Sequence, residues 1–137
     1  MSDRFKNWKR PKIIHGKLSK WHWKVLRPEK LQLGKNVDIS SFVVLFAHNG
    51  ITIEDGVEIG PHCSILSADT ISGRNGRVVL KKGCCIGANS VVMPGVTVGE
   101  NTIVGAHSLV NKDLPANSIA FGVPAKLVRK RTKHEKI

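Results

Sequence analysis

Acidic residues are scarce in this chain, and tyrosine is absent. There are 10 Asp and Glu residues against 22 Lys and Arg, which gives a formal net charge of +12 over 137 residues. Such an excess favours an anionic partner or a solvated basic surface. No recognition helix and no aromatic RNA-binding strand accompany the charge, so the sequence disfavours a nucleic-acid partner.

Long apolar runs and paired cysteines are lacking too. No stretch reaches the roughly 20 apolar residues that cross a bilayer, and the first ten residues lack the apolar core of a signal peptide. We therefore expect a cytoplasmic protein with no membrane partner and, at this length, one domain. Cys63, Cys84 and Cys85 form no Cys-x-x-Cys pair, so we expect no metal and no disulfide.

An aliphatic residue returns every six positions along most of the chain. Neither the helical period of 3.6 nor the strand period of 2 explains this repeat, whereas a solenoid of short strands does. A small residue four places further on can turn inward beside each aliphatic one. The predicted inward aliphatic residues are Leu33, Ile39, Leu45, Ile53, Ile59, Ile65, Ile71, Leu80, Ile86, Val92, Val98, Val104 and Val110. The small inward residues are Val37, Val43, Val57, Cys63, Cys84, Ser90, Val96, Thr102 and Ser108.

Two breaks in the hexad predict loops. The step is eight residues from Leu45 to Ile53 and nine from Ile71 to Leu80. If three hexads close one turn, both breaks follow the same side of the triangle, and the two loops emerge along one edge. Residues 1–30 show no hexad and predict a basic cap with a strand near residues 21–25. Residues 31–114 form the solenoid of about four turns, and residues 115–137 an extended segment followed by a basic helix or tail.

The C-terminal half of the repeat resembles a known family. The runs Ile86-Gly-Ala-Asn-Ser-Val-Val-Met-Pro-Gly and Ile103-Val-Gly-Ala-His-Ser-Leu-Val-Asn-Lys-Asp-Leu-Pro, followed by Phe121-Gly-Val-Pro-Ala-Lys, are similar to hexapeptide-repeat acyltransferases. The resemblance covers about residues 31–129. It implies an all-β, left-handed parallel β-helix, acetyl-coenzyme A as acyl donor, a sugar acceptor such as a nucleotide-linked amino sugar for polysaccharide synthesis, and a homotrimer. The handedness comes from the resemblance alone.

The resemblance also implies a cofactor site between subunits. Small residues near the last coils would admit the pantetheine arm, with a second group near the nucleotide end and Arg129 as a further phosphate ligand. The first group comprises Gly87, Ala88, Gly105, Ala106 and Ser108. His107 takes a place often held by a small residue in the family, which implies contact with the thioester region. The second comprises Lys112, Pro124, Ala125 and Lys126.

The sequence departs from the family pattern at the expected catalytic base. Many sugar acetyltransferases of this type carry a histidine in the loop before the Ile-Gly-x-Asn coil, where this chain has Asp69 and Thr70. His48, in the first extruded loop, is our candidate base, Asp69 is the alternative, and an unprotonated amine acceptor would need neither. His15, His22 and His134 lie outside the coils and are weak candidates. The predicted substrate-binding residues are His62, Thr70, Arg74 and Arg77.

Two other functions fit the same fold. A γ-type carbonic anhydrase holds its metal with three histidines, but His48, His62 and His107 lack the close pair that such a site uses. The other alternative is a non-catalytic solenoid that serves as a binding module, which the high positive charge would suit.

Overall fold

The chain is a three-sided solenoid of short parallel strands. The computed structural model describes residues 3–132 and residue 135. Three stacked sheets of short strands form the three sides. In chain order the strands are β1 Lys24–Leu26, β2 Leu31–Leu33, β3 Asp38–Ile39, β4 Val44–Phe46, β5 Ile51–Ile53, β6 Glu58–Ile59, β7 Ser64–Leu66, β8 Val78–Leu80, β9 Cys85–Ile86, β10 Val91–Val92, β11 Thr97–Val98, β12 Ile103–Val104, β13 Leu109–Val110, β14 Ser118–Gly122 and β15 Ala125–Lys130. Single-turn 3₁₀ helices occupy Asp3–Phe5 and Pro28–Lys30.

The hexad repeat sets the register between turns. Side A stacks β1, β4, β7, β10 and β13; side B stacks β2, β5, β8 and β11; side C stacks β3, β6, β9, β12 and β14. Leu45 pairs with Ile65, which pairs with Val92. Such pairing places each predicted aliphatic residue above its counterpart one turn earlier, and it confirms the count of three hexads per turn.

The core is a continuous column of these inward side chains. Leu45, Ile65 and Leu80 have no exposed surface, and all the predicted small inward residues are buried as well. Burial raises the pKa of the Cys63 and Cys84 thiols, so both remain protonated and pack as small apolar groups. Within the part of the chain that the structure describes, no two cysteines are joined by a disulfide.

Each corner of the triangle needs one residue with a left-handed backbone. Between sides B and C this residue is Asn36, Gly56, Gly83, Asn101 or Asn117, all with positive φ. Asn and Gly tolerate that conformation best. Between sides C and A the equivalent residues are His22, Phe42, His62, Asn89 and His107, a less usual set because a bulky side chain is strained there.

Three glycines stacked at the end of side C are required by the close approach of the next turn. A Cβ on Gly60 would lie 2.7 Å from the Ala88 nitrogen, and one on Gly87 would lie 2.5 Å from the Ala106 nitrogen. On Gly105 it would meet the Phe121 side chain at 2.8 Å. The glycine that follows the aliphatic residue in the repeat is therefore a packing requirement.

The N-terminal segment caps the solenoid, as expected, but the sheets begin earlier than the hexad does. The predicted strand near residues 21–25 is β1, which pairs in parallel with β4 and joins side A. The stack therefore has about five turns, one more than the hexad count. Trp23 is buried, and the Trp8 indole N–H donates to the Val37 carbonyl at 2.9 Å, which fastens the cap to the first coil.

The predicted C-terminal helix is wrong. Residues 125–130 form strand β15, which returns antiparallel to β14 after a cis Val123–Pro124 peptide. Pairing with the last strand of side C satisfies backbone groups that an open end would expose. Helix propensity was overridden by this sheet contact.

Both extruded loops emerge at the corner between sides A and B, as predicted. They are residues 47–50, after β4, and residues 67–77, after β7. Ile71 was predicted to face inward, and that was wrong: it is 96% exposed at the tip of the second loop.

Candidate functional site

The two extruded loops are joined by one side chain. Asn49 donates its backbone N–H to the Ser67 hydroxyl at 2.9 Å, and its amide donates to the Ser67 carbonyl and to Asn75 Oδ1, both at 3.1 Å. The Ser67 hydroxyl is buried and donates to the Phe46 carbonyl at 2.5 Å. The loops therefore form one ordered unit, the paired-loop corner, defined here as residues 47–50 and 67–77.

His48 lies in the paired-loop corner and is half-buried. Its ring stacks on Phe46 with centroids 6.0 Å apart, and Lys30 Nζ donates to its backbone carbonyl at 3.0 Å. Its Nδ1 is buried and has no hydrogen-bond partner among the described residues. A base that accepts a proton at Nε2 must carry its own proton on Nδ1. No described residue accepts a hydrogen bond from Nδ1, so this part of the chain does not hold His48 in the tautomer that a base requires.

Asp69 organises the second loop. Its carboxylate accepts a hydrogen bond from the Ser72 hydroxyl at 2.5 Å and from the backbone N–H groups of Ile71 and Ser72. The Ser72 hydroxyl, chiefly, holds the pKa of Asp69 below its ordinary value, and Arg74 adds to this. A carboxylate stabilised as its anion is a weak base. The geometry gives Asp69 a structural part in the loop.

Arg74 connects the second loop to the coils that follow it. Its guanidinium donates to the carbonyls of Pro94 at 3.0 Å and Asn111 at 3.2 Å. These bonds occupy part of its hydrogen-bonding capacity within the fold, and the side chain is half-buried. Thr70, in contrast, is exposed beside Ile71 at the loop tip.

Arg77 contributes to a pocket on the side-B flank of the corner. Its guanidinium lies against Gly50 and donates to the Thr52 hydroxyl at 3.0 Å. The pocket, of about 390 Å³, is lined by Glu29, Lys30, Gln32, Asn49, Gly50 and Arg77. Two cations and two amides at one opening suit an anionic or polyhydroxyl ligand.

A long trough runs along side C. Its volume is about 700 Å³, and Arg4 lies at one end and Arg131 at the other. Gly60, Gly87 and Gly105 form its floor, together with Cys85, Ile103 and other residues of side C. No side chain projects into the trough from the three glycines, because the next turn packs against Gly60 and Gly87 and Phe121 packs against Gly105.

The predicted cofactor residues are only partly together. Gly87, Gly105 and Ala106 line the trough, while Ala88 and His107 lie at the corner between sides C and A. Ser108 is buried: its hydroxyl donates to the Gly105 carbonyl at 2.7 Å and accepts from the Gly122 N–H at 3.1 Å. This hydroxyl is committed to packing the last coil.

The C-terminal hairpin of β14 and β15 carries the exposed Pro124 and Lys126, with Ala125 half-buried. Arg129 is ion-paired with Glu135, which lowers the pKa of Glu135 to about 2, so a phosphate would have to displace that carboxylate. Lys112 follows β13 and lies at the corner between sides A and B, away from the hairpin.

His62 and His107 lie on one edge, with Asn89 between them, as predicted. This is the edge between sides C and A, away from His48. Phe42 stacks between His22 and His62, with ring centroids 6.1 and 5.3 Å apart. Among residues 3–132 and 135 of one subunit, no three His, Cys, Asp or Glu side chains group as a metal site. His134 lies outside the described residues.

The sequence prediction missed several residues of these sites. Lys30 and Asn49 line the pocket with Arg77, and Arg4 and Arg131 lie at the two ends of the trough. Asn49 had a usable signal, because it lies inside a predicted loop before glycine. Lys30 and Arg131 lie outside the hexad and had none.

Part of the repeat matches a known family model, and the chain is similar to known acetyltransferases. Residues 77–112 match the family described as bacterial transferase hexapeptide (six repeats). The galactoside O-acetyltransferase of Escherichia coli is 30% identical over 120 residues, covering 76% of this chain and 57% of that protein. The chain thus spans little more than half the length of this curated relative.

Solved structures agree with this relationship. A hexapeptide-repeat acetyltransferase from Vibrio cholerae, determined in complex with acetyl-coenzyme A, is 28% identical, with a TM-score of 0.75 over 81% of this chain and 66% of that one. The N-acyltransferase AntD from Bacillus cereus, determined with dTDP and 3-hydroxybutyryl-CoA, is 25% identical, with a TM-score of 0.65 over 85% of this chain and 80% of that one. The chain therefore carries the hexapeptide repeat and has the left-handed β-helix fold of these acetyltransferases.

Proposed function

We propose that this protein transfers an acetyl group from acetyl-coenzyme A to the amino group of a nucleotide-linked sugar. The observation that carries the proposal is the glycine-floored trough of side C, which lies where the family motif predicts the pantetheine arm. Gly87, Gly105 and Ala106, assigned to the cofactor from the sequence, line this trough.

The trough suits the extended part of coenzyme A. Its floor includes three glycines, which add no side chain to it, and cations lie at both ends. Arg4 is already ion-paired with Asp38 and Glu58, whereas Arg131 donates to the Asn101 and Glu135 carbonyls and has no described carboxylate partner. The phosphate end of the cofactor would therefore lie toward Arg131, close to the hairpin that carries Lys126.

The surroundings of His48 and Asp69, the two candidate bases, favour an amine as the acceptor. Burial of Nδ1 without a partner hinders His48, and hydrogen bonds keep Asp69 a weak base. An amine that reaches the site unprotonated attacks a thioester without a protein base, whereas a hydroxyl requires one. The N-acyltransferase AntD, whose structure holds dTDP, is a relative whose length this chain largely covers.

A homotrimer would complete the site. The trough is open to solvent along its length, and the adjoining hairpin exposes Phe121, Val123, Leu127 and Val128 by 48–72%. Packing of a second copy over the trough would enclose the cofactor and cover these apolar side chains. Light scattering should give three times the chain mass, and a monomer at assay concentration would contradict the trimer.

The test of function is release of coenzyme A thiol with matched acceptors. We expect turnover with acetyl-coenzyme A and a dTDP-linked amino sugar, and none when a hydroxyl replaces the amine on the same nucleotide sugar. Equal turnover with a galactoside would favour O-acetylation instead. If coenzyme A produces no thermal shift, the non-catalytic solenoid is the better description.

A further inference from the structure

The N-terminal cap combines positive charge with exposed apolar side chains. From residue 4 to residue 27 the chain has nine Lys and Arg residues and no Asp or Glu. Within the same segment Ile14, Leu18 and Trp21 are 50, 52 and 45% exposed. We propose that this cap surface, residues 12–21, docks the protein onto an anionic lipid surface.

The local backbone presents the three apolar side chains outward. Residues 14–17 form one turn, closed by the Lys17 N–H to the Ile14 carbonyl at 3.1 Å, and residues 19–22 form the next, closed by the His22 N–H to the Ser19 carbonyl at 2.9 Å. Leu18 lies between the two turns. The exposed apolar groups therefore come from two successive tight turns.

The cap surface is rigidly held. Ile13 packs against the core, the Gly16 N–H donates to the Val25 carbonyl, and the Ser19 N–H donates to the Trp23 carbonyl. Because these contacts already hold the cap in place, the exposed side chains of Ile14, Leu18 and Trp21 are not needed for that purpose. A preformed surface loses little conformational entropy on binding.

The cations of the cap surface are available to a partner. Lys12, Lys17 and Lys20 are exposed and make no ion pair with a described carboxylate. Lys20 lies 5.6 Å from the Trp21 ring. Lysines interleaved with tryptophan and aliphatic residues are typical of the interface between lipid headgroups and acyl chains.

The alternative partners fit less well. A nucleic acid would use the cations but gains little from Ile14 and Leu18. The other exposed apolar group, on the C-terminal hairpin, adjoins the trough, because Phe121 contacts the Gly105 position, so we assign it to the candidate active site. No helix of the described chain is long and apolar enough to cross a membrane, but peripheral docking needs none.

Docking by the cap leaves the trough and the paired-loop corner open. The cap lies at the first turn of the solenoid, whereas the hairpin lies at the last. In the proposed trimer, the three-fold axis would carry three caps on one face, and three weak contacts to one membrane would reinforce one another. The docking itself requires only the cap, so it stands whether or not the chain is an acyltransferase.

The experiment is sedimentation of the full chain with vesicles. We expect binding to phosphatidylcholine vesicles that contain one-third phosphatidylglycerol, and little to pure phosphatidylcholine. Lys12→Gln/Lys17→Gln/Lys20→Gln should weaken the binding about 100-fold, because each cation near an anionic surface contributes about fivefold. Lys81→Gln/Lys82→Gln/Lys130→Gln removes the same charge away from the cap and should change binding less than threefold, which is roughly what long-range charge alone would do.

A second pair of variants separates lipid from other polyanions. Ile14→Ser/Leu18→Ser keeps all the charge and should weaken vesicle binding at least tenfold, while circular dichroism and gel filtration confirm that it folds. Trp21 emission should shift to the blue with anionic vesicles, and Trp21→Phe should lose that shift. The proposal would be overturned if the protein bound both vesicle types equally well. It would also be overturned if Ile14→Ser/Leu18→Ser left vesicle binding unchanged, or if the distant lysine variant weakened binding as much as the cap variant does. Binding to RNA with unchanged Trp21 emission would identify a nucleic-acid surface instead.

Discussion

The side-chain amide of Asn49 donates to Asn75 Oδ1 at 3.1 Å and so joins the only two long interruptions of the repeat within the described solenoid. The same amide donates to the Ser67 carbonyl. Order in the second loop therefore depends on a residue of the first, although 26 positions separate the two asparagines.

Removing this amide should loosen the second loop. Asn49→Ala loses two hydrogen bonds at a largely exposed site, so we expect about 1 kcal/mol of lost stability and faster amide exchange in residues 67–77. Asn75→Ala removes only one of the two bonds and should have the smaller effect. Hydrogen exchange read by mass spectrometry measures both, and equal protection of the loop in Asn49→Ala and the unaltered protein would contradict this account.

Gly87→Ala should disrupt the stacking of the last turns. Its Cβ would lie 2.5 Å from the Ala106 nitrogen, which belongs to the backbone and cannot move aside cheaply. We expect a loss of about 3 kcal/mol in urea unfolding.

Gly95→Ala is the matched control for Gly87→Ala. Gly95 has φ +82° but nothing within 4 Å of its added Cβ, so it should lose only about 1 kcal/mol through backbone strain. Similar losses in the two variants would mean that close approach is not what Gly87 provides.

The repeated part of the fold could be predicted from the sequence, and its two ends could not. The aliphatic hexad and the inward small residues follow from periodicity, because each describes one repeated local environment. The positions of β1 and β15 did not follow, since their partners β4 and β14 contribute backbone hydrogen bonds that no pattern within either segment encodes. Ile71 kept the six-residue phase yet left the core, because the loop that begins after Leu66 carries it outward.

The candidate site was also predicted only in part. His62 and His107 were correctly placed on one edge by counting three residues from the inward aliphatics. Ser108 was assigned to the cofactor from its motif, whereas its hydroxyl bridges Gly105 and Gly122. Hydrogen bonds between turns depend on side-chain rotamers, which spacing along the chain does not reveal.

Lys126→Ala should weaken the cofactor interaction selectively. Loss of one charge-assisted hydrogen bond of about 1.5 kcal/mol would raise the KM for acetyl-coenzyme A about tenfold and leave that for the acceptor unchanged. Lys81→Ala, on side B, serves as the control and should change neither. A parallel rise for both substrates in Lys126→Ala would indicate a folding defect or another location for the phosphates.

His48→Asn should keep turnover within about tenfold of the unaltered protein, because the buried Nδ1 does not support the tautomer that a base requires. A true general base contributes about 10²–10⁴ in rate. A loss of at least a hundredfold, with trimer and cofactor binding intact, would restore His48 as the base. With an amine acceptor, kcat/KM should rise with pH until the acceptor amine, with a pKa of about 8, is deprotonated.

The carboxylate of Asp69 should make the second loop acid-sensitive. Its pKa is lowered in the folded protein, chiefly by the Ser72 hydroxyl, so its contribution to stability is complete above the unfolded pKa and is lost as the pH falls through the folded value. Ser72→Ala should raise the pKa of Asp69 toward 3.8, its ordinary value. Carbon-13 NMR of the carboxyl carbon measures this directly, and an unchanged titration in Ser72→Ala would assign the shift to another group.

The stacked glycines at the end of side C have a consequence for how such a chain can diverge. Adding or deleting residues beside Gly60, Gly87 or Gly105 would misalign its contact with the next turn, which is too close to admit even a Cβ. At the corresponding positions of side A the chain carries Phe46, Leu66 and Met93, and it is from this side that both long loops depart. Length variation is thereby confined to one corner of the triangle, where a new loop, and with it a new acceptor, can be exchanged without altering the pitch of the coil.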